Sequence, residues 1–196
     1  MDTAALYPWD DPTLTDQLLS VAVDIPRVPL EEVDPPASPG AYMQFFAAPQ
    51  LGPILGDAVA NGVVCCYAGV ATWDLRDRLR RHRRNVSSIE AVEPGEIYIS
   101  VLPCSTPAAA VFCERSLIGT LDPMLNGIGW GSQVPGAQRT GQRCSAADAL
   151  LPGRGWARTA TPLQVAAARM HVVSNLARRA PSGPRWAALA SPARSW

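Results

Sequence analysis

The spacing of apolar residues along the chain predicts three strands. Ile97, Ile99 and Val101 recur at every second position, which is the period of a half-buried strand. Residues 63–70 form a continuous apolar run, which is typical of a strand buried on both faces. Residues 41–47 are aromatic and apolar and also favour a strand.

A longer period, close to 3.6 residues, predicts helices between and around these strands. In residues 74–91, Leu75, Leu79 and Val86 mark one face of a helix. Three further helices are predicted: one that begins at Asp11-Pro12, one from Thr106-Pro107 to about Gly119 with the threonine as its N-cap, and one over 162–179. The chain is therefore expected to have a mixed α/β fold.

Segments rich in proline, acids or glycine separate these elements. Residues 25–40 are predicted to be a linker, and residues 48–62 a loop. The chain then divides into an acidic N-terminal helix with a Pro-rich linker (1–38), a core (39–130), a Gly/Arg-rich segment (131–160) and a C-terminal helix with a tail (161–196).

The composition narrows the function classes. No apolar run reaches the roughly 18 residues of a membrane span, and the acidic N-terminus does not resemble a signal peptide. The five cysteines include no C-x-x-C pair, which argues against a zinc site or a disulfide framework. We expect a cytoplasmic protein without a membrane partner.

The charge is divided unevenly between the two parts of the chain. Residues 1–40 contain eight acids and one arginine, whereas residues 41–196 contain sixteen arginines and nine acids. A net-positive part of this size is suited to a polyanionic partner.

The predicted helix at 74–91 carries much of this positive charge, with six arginines in the nine residues 76–84. Arginine binds phosphate through two parallel hydrogen bonds, although a run of arginines is often only a solvated helix face. Arg78 and His82 are four residues apart beside the apolar seam, so they should point toward the same place. The alternative is that His82 is a hydrogen-bonded core residue.

Glu114 is the second candidate for chemistry. Its neighbours one helical turn away are all apolar: Ala110, Val111, Leu117 and Ile118. A carboxylate on such a face is costly unless it is paired or binds a metal, so we favour a hard cation such as Mg²⁺ over a structural ion pair. Asn126 alone indicates a turn, and Tyr42 and Tyr67 alone indicate core aromatics.

Together these residues resemble the GIY-YIG nuclease superfamily. Gly40-Ala41-Tyr42 and Tyr67-Ala68-Gly69 occupy the places of its two name-giving motifs. Arg78 and His82 match its R-x-x-x-H helix, Glu114 its metal-binding glutamate, and Asn126 its downstream asparagine. The resemblance implies a GIY-YIG fold: a small, mostly antiparallel three-stranded sheet flanked by helices, here with N- and C-terminal helical extensions.

A closer resemblance is to the GIY-YIG type II restriction endonucleases that cut CCGCGG. It is carried by Trp9-Asp10-Asp11-Pro12, by the stretch from Cys113-Glu114 to Gly129, and by Gln142-Arg143 with the stretch from Leu151 to Ala157. Three features depart from the pattern: Val70 replaces a lysine that usually follows the second motif, Leu151 replaces a histidine, and a histidine typical of the glycine-rich region after Asn126 is missing.

The resemblance implies a DNA endonuclease that uses Mg²⁺ (or Mn²⁺) bound by Glu114. Its expected catalytic residues are Tyr42, Tyr67, Arg78, His82, Glu114 and Asn126. The arginines expected to contact DNA are Arg76, Arg80, Arg81, Arg83, Arg139, Arg143 and Arg154. The expected partners are double-stranded DNA with a GC-rich site, a second copy of the chain on a palindrome, and a protective DNA methyltransferase. Two alternatives stay open: a DNA-binding protein with weakened or lost chemistry, and a non-specific or repair nuclease.

Overall fold

The computed structural model describes residues 12–126, 130, 147, 150–151 and 161–179. Asp11, where the first helix was predicted to begin, lies outside these residues, as do Arg139, Arg143 and Arg154. The helices are α1 (Pro12–Asp24), α2 (Gly52–Leu55), α3 (Asp57–Ala60), α4 (Leu75–Val86), α5 (Pro107–Leu121) and α6 (Pro162–Arg179). The strands are β1 (Val28–Pro29), β2 (Gly40–Phe46), β3 (Cys65–Ala71) and β4 (Ile97–Pro103).

The four strands form one antiparallel sheet in the order β1-β4-β2-β3. The mixed α/β class is confirmed, but the expected count of three strands is wrong. The additional strand, β1, lies in residues 25–40, which were predicted to be a linker. Two residues are too few to show a period, and Pro29 is compatible with a strand at the sheet edge.

The segment at 48–62 was predicted to be a loop, and this is also wrong in part. It contains the short helices α2 and α3 after a 3₁₀ turn at Pro49–Leu51. Each element is only three or four residues long, so it is shorter than the window over which helical periodicity can be recognised.

The central strand β2 divides its side chains between two cores. Tyr42 and Phe46 pack in a cluster that includes Leu75 and Leu79 of α4. Met43 and Phe45 pack on the opposite face, in a cluster that includes Leu117 of α5 and Leu19 of α1. This alternation follows from the two-residue period of a strand, and it places α4 against the face that carries Tyr42.

The end of α5 returns the chain to strand β3. Asp122 has a left-handed backbone conformation with φ of 40°, which ends the helix. The backbone N–H of Leu125 then donates to the carbonyl of Cys66 at 2.8 Å. Asn126 is thereby placed beside the middle of β3.

None of the helices in the described part of the chain combines the length and apolarity that crossing a membrane requires.

Candidate active site

Two side chains of α4 donate to, or share a hydrogen bond with, one tyrosine oxygen. The Tyr42 hydroxyl lies 2.6 Å from Nε2 of His82 and accepts a hydrogen bond from Nε of Arg78 at 3.1 Å. Arg78 and His82 reach the same atom because residues four apart lie on one side of a helix. The prediction that these two side chains point toward the same place is confirmed.

Tyr67 completes an aromatic group around this oxygen. Its ring centroid lies 6.1 Å from that of Tyr42 and 6.1 Å from that of His82. Tyr67 is 6% exposed, whereas Tyr42 is fully buried. Tyr67 is therefore the more accessible of the two tyrosines.

Glycines make room for this arrangement. A Cβ atom on Gly40 would lie 2.4 Å from Cδ1 of Leu75, so a larger residue there would push α4 away from β2. Gly69 is equally confined, between the rings of Tyr42 and Tyr67. The glycines of both motifs are thus required by close packing, and neither has a positive φ.

His82 is neutral at physiological pH. It is 2% exposed, and burial, with the nearby Arg78 and Arg81, lowers its pKa from 6.5 to about 3. A neutral imidazole has one N–H donor and one acceptor nitrogen, so its two hydrogen bonds must run in opposite senses.

The two tyrosines are also neutral in the free protein. Burial raises the pKa of Tyr42 above its ordinary value, and the neighbouring Tyr67 raises it further, while Arg78 lowers it. Burial likewise raises the pKa of Tyr67, against opposing contributions from Arg78 and from a hydrogen bond with Tyr42. Arg78 therefore favours the ionised form of both phenols.

Glu114 lies on α5, near this group and half-buried. Burial raises the pKa of its carboxyl, while Arg115 and Arg78 lower it. The Glu114 charge in turn raises the pKa of Tyr67, which shows that the two side chains are electrostatic neighbours.

The side chains around Glu114 determine which kind of cation could bind there. No group of three or more His, Cys, Asp or Glu side chains is found among the described residues. Glu114 is one carboxylate oxygen donor in a partly dehydrated position. Such a set fits Mg²⁺, which binds one or two carboxylates and completes its shell with water and phosphate oxygens, and it does not fit a closed zinc site.

Asn126 is bound to the backbone of β3. Its Oδ1 accepts from the N–H of Ala68 at 2.9 Å, and its Nδ2 donates to the carbonyl of the same residue at 2.8 Å. The amide thus pairs with Ala68 as a neighbouring strand would. Asn126 fixes the strand position next to Tyr67.

Sequence reasoning missed two polar residues behind His82. Gln44, fully buried on β2, lies with its Nε2 3.2 Å from Nδ1 of His82. The indole N–H of Trp130 donates to Oε1 of Gln44 at 2.8 Å. A signal for Gln44 was present, because it is the single polar side chain with an amide in the apolar run 41–47.

Four of the five other arginines of α4 fall into two pairs. Arg83 donates through Nε to the carbonyl of Leu30 at 2.6 Å and through Nη2 to the carbonyl of Val33. Arg76 donates to the carbonyl of Pro35 at 3.2 Å. These two arginines anchor the segment that precedes β2, and a DNA contact for either of them stays a prediction.

Arg80 and Arg81 face solvent on α4. Arg80 forms an ion pair with Asp77 at 2.9 Å, and Arg81 lines a cavity of about 260 Å³ together with Arg78. Trp73, which is 81% exposed, also lines this cavity. An exposed indole beside two guanidinium groups is a surface suited to a nucleic acid.

The sequence of the chain matches one protein family across about two thirds of its length. The family model of the Eco29kI GIY-YIG domain, a family of type II restriction endonucleases, matches residues 49–178. The chain belongs to this family. Membership of the Eco29kI GIY-YIG family supports a DNA endonuclease function for the protein. No curated protein sequence matches the chain.

The matched segment contains most of the candidate site of this Eco29kI-family protein. Tyr67, Arg78 and His82 lie within it, as do Glu114 and Asn126. Strand β2, with Tyr42 and Gln44, precedes the match, and the structure joins it to the remainder through its pairing with β3 and β4.

Proposed function

We propose that the protein is a divalent-metal-dependent DNA endonuclease of restriction type whose active site is formed by Tyr42, Tyr67, Arg78, His82, Glu114 and Asn126. The observation that carries the proposal is the convergence of Arg78 and His82 on the Tyr42 oxygen, beside Tyr67 and near Glu114. This brings together a group that can take up a proton, a fixed positive charge and a carboxylate suited to a metal ion.

Glu114 would hold the metal ion, for which Mg²⁺ is the first candidate and Mn²⁺ the second. When bound, such an ion polarises the scissile phosphate and offsets the negative charge that develops on it. Glu114 lies close enough to Arg78 for the guanidinium charge to lower the pKa of its carboxyl, which is consistent with one site for both the cation and the phosphate.

Arg78 would bind the scissile phosphate and stabilise the additional charge of the transition state. Its Nε donates to the Tyr42 oxygen. Because the guanidinium group is planar, this hydrogen bond also fixes the orientation of the two terminal nitrogens. The tyrosine pair would accept the proton of the attacking water. The ordinary pKa of tyrosine is near 10, and burial raises the pKa of both tyrosines here. A tyrosine therefore depends on the Arg78 charge, which lowers its pKa, to act as the base.

His82 and Asn126 would orient the tyrosines rather than contact the substrate. His82 is buried behind Tyr42, and the Asn126 amide binds the backbone of Ala68 through both its oxygen and its nitrogen. Arg81 and Trp73 are exposed and line the cleft beside Arg78, where a DNA backbone would approach, and Arg80 lies on the exposed face of the same helix. This position supports phosphate contacts for the two arginines.

The sequence preference is a further part of the proposal. The resemblance of residues 142–157 to the enzymes that cut CCGCGG supports a GC-rich site, with Arg139, Arg143 and Arg154 as candidates for guanine recognition. A palindromic site would engage two copies of the chain, each cutting one strand, and would need a methyltransferase to protect the host DNA.

The test is cleavage of plasmid DNA with and without Mg²⁺ or Mn²⁺, followed by sequencing of the ends. Wild type is expected to give discrete fragments only with metal, and Glu114→Gln to cut at least about 100-fold more slowly. The exposed Glu90→Gln, which makes the same chemical change outside the site, is the matched control. Equal cleavage by Glu114→Gln and Glu90→Gln would remove Glu114 from the site, and a smear of products would indicate a non-specific nuclease.

One observation favours a second candidate, a DNA-binding protein without nuclease activity. Val70 lines the cleft beside Arg78 and Arg81, at the position where the resemblance leads us to expect a lysine. Salt-sensitive DNA binding with no cleavage under any divalent metal would support this candidate. If wild type does not cleave DNA but Val70→Lys does, this result would also support the candidate, and it would show that the missing lysine ammonium group accounts for the lack of activity.

A further inference from the structure

A line of hydrogen bonds connects Trp130 to the Tyr42 oxygen through the buried core. The indole N–H of Trp130 donates to Oε1 of Gln44 at 2.8 Å. Gln44 lies with Nε2 at 3.2 Å from Nδ1 of His82, and Nε2 of His82 is 2.6 Å from the Tyr42 oxygen. Gln44, His82 and Trp130 are each less than 5% exposed.

The direction of this line follows from the chemistry of its ends. An indole nitrogen can only donate, so it requires the oxygen of the Gln44 amide and turns the Gln44 NH₂ group toward His82. A hydrogen bond from that NH₂ group requires Nδ1 of His82 to be the acceptor. In a neutral imidazole the proton is then on Nε2, the nitrogen that faces Tyr42.

We propose that Trp130 and Gln44 are positioning residues that hold His82 in the Nε2–H tautomer, so that His82 donates a hydrogen bond to Tyr42 and does not take its proton. The proposal rests on the proposed function for its catalytic meaning, but the tautomer itself is a property of the free protein. Neither Gln44 nor Trp130 belongs to the motifs that define the site.

This tautomer has a consequence for Tyr42. Its oxygen accepts from His82 and from Arg78, so both acceptor positions are filled and its own O–H must point away from α4. A hydrogen bond between the two phenols lowers the pKa of Tyr67, which agrees with a Tyr42 proton directed toward Tyr67. Two donors on one phenol oxygen stabilise negative charge there, as donors do in an oxyanion hole.

The opposite tautomer would reverse these effects. With the proton on Nδ1, Nε2 of His82 would be an acceptor and the Tyr42 O–H would donate to it. Nδ1–H would then face the Gln44 NH₂ group, two donors against each other, and the amide could turn only by leaving the Trp130 N–H buried without a partner. An unpaired buried donor is costly, so Trp130 determines the tautomer from the far end of the line.

The test is the tautomer of His82, observed by long-range proton–nitrogen correlation spectra of nitrogen-labelled protein. The chain has two histidines, so the variant His171→Gln leaves only the His82 signals. Wild type in this background is expected to show a pyrrole-type shift at Nε2 and a pyridine-type shift at Nδ1. The reverse pattern would overturn the proposal.

Two variants then change the direction of the line. Gln44→Glu presents only acceptors, so it should keep the Trp130 bond and move the His82 proton to Nδ1. Cleavage should slow by about 100-fold, the lower end of the cost of losing one donor to a developing negative charge. Trp130→Phe keeps a ring against Phe46 but removes the N–H, and it should give mixed tautomers with a loss of about threefold to tenfold.

Gln164→Glu is the matched control, because the same change there preserves the acceptor that caps α6 at 2.8 Å from the N–H of Thr161. A reversed tautomer in Gln44→Glu with cleavage equal to Gln164→Glu would overturn the proposal. If Gln44→Glu does not fold, an unchanged tautomer and rate in Trp130→Phe would overturn it. A wild-type protein with the expected tautomer that cuts no DNA would contradict the proposed function while supporting the hydrogen-bond direction.

Discussion

The backbone of Gly69 lies directly against the hydroxyl of Tyr42. A Cβ atom on residue 69 would be 2.5 Å from that oxygen and 2.7 Å from Cε1 of Tyr67. Because Tyr42 is fully buried, its ring cannot swing into solvent to make room. The second motif thus sets the position of the tyrosine of the first.

Gly69→Ala is therefore expected to displace the Tyr42 oxygen from its partners on α4. We expect a loss of stability of about 1 to 3 kcal/mol from overpacking and a fall in cleavage rate of at least about tenfold. Urea denaturation and plasmid cleavage measure the two effects.

Gly119→Ala is the control, since a Cβ on this exposed glycine of α5 would meet no atom within 4 Å. The free energy of unfolding of Gly119→Ala should rise by about 0.5 to 1 kcal/mol, and the variant should cut DNA at the wild-type rate. A Gly69→Ala protein with unchanged cleavage would show that the Tyr42 position is not critical.

The depressed pKa of His82 predicts a specific dependence of stability on pH. The unfolded chain takes up a proton at His82 below about pH 6.5, while the folded chain does so only near pH 3. Between these values the unfolded state binds more protons, so the free energy of unfolding falls as the pH falls, by up to about 1.4 kcal/mol per pH unit from this residue.

Urea denaturation of wild type and His82→Gln at a series of pH values measures this contribution. The difference between the two proteins should shrink steadily below pH 6.5 and be constant above it. A difference that stays the same from pH 7 to pH 4 would mean that His82 is not buried in its neutral form.

Asn126→Asp tests the pairing of Asn126 with β3. Aspartate can still accept from the N–H of Ala68 but cannot donate to its carbonyl, and it places two oxygens against each other. We expect a loss of about 1 to 3 kcal/mol in the free energy of unfolding and a lower cleavage rate, because Tyr67 adjoins this point.

The exposed Asn61→Asp introduces the same charge away from the site and should change stability by less than about 0.5 kcal/mol. Equal stabilities of the two variants would indicate that the Ala68 contacts contribute nothing.

Arg81 and Arg83 belong to one helix, but we expect their substitution to affect different properties, DNA binding for Arg81 and stability for Arg83. Arg81→Ala should weaken DNA binding and reduce the slope of log affinity against log salt by about one, because Arg81 lines the cleft. Arg83→Ala should lower the free energy of unfolding by about 2 kcal/mol, because it releases the carbonyls of Leu30 and Val33. These two contacts lead us to expect an unchanged salt slope for Arg83→Ala, in contrast to the DNA contact that the resemblance implies for this residue.

Fluorescence anisotropy at several salt concentrations and urea denaturation give the two quantities for each variant. A reduced salt slope in Arg83→Ala would place this arginine on the DNA after all.

The sequence predicted those parts of the fold that repeat over enough residues to show a period. Strand β4 and helix α4 were recognisable in this way. Strands β2 and β3 were recognised by their apolar composition, and the start of α5 by the Thr106 cap. Strand β1 could not be recognised, because a pair of residues has no period and its pairing with β4 depends on tertiary structure.

The sequence could predict which residues of the candidate site lie together only where they belong to the same helix or strand. Arg78 and His82 were paired by helical spacing alone, and the structure brings both to Tyr42. The contact between Gln44 and Trp130 joins residues 86 positions apart. No local pattern encodes such a contact, so only the folded chain reveals it.

The central place of β2 has a consequence for the limits of the folding unit. The family match begins at residue 49, yet β2 lies between β3 and β4 and bonds to both. A fragment starting at residue 49 would lose the middle of its sheet and leave two seven-residue strands with unpaired edges. Exposed edges of this kind recruit other chains, so such a fragment should aggregate rather than fold.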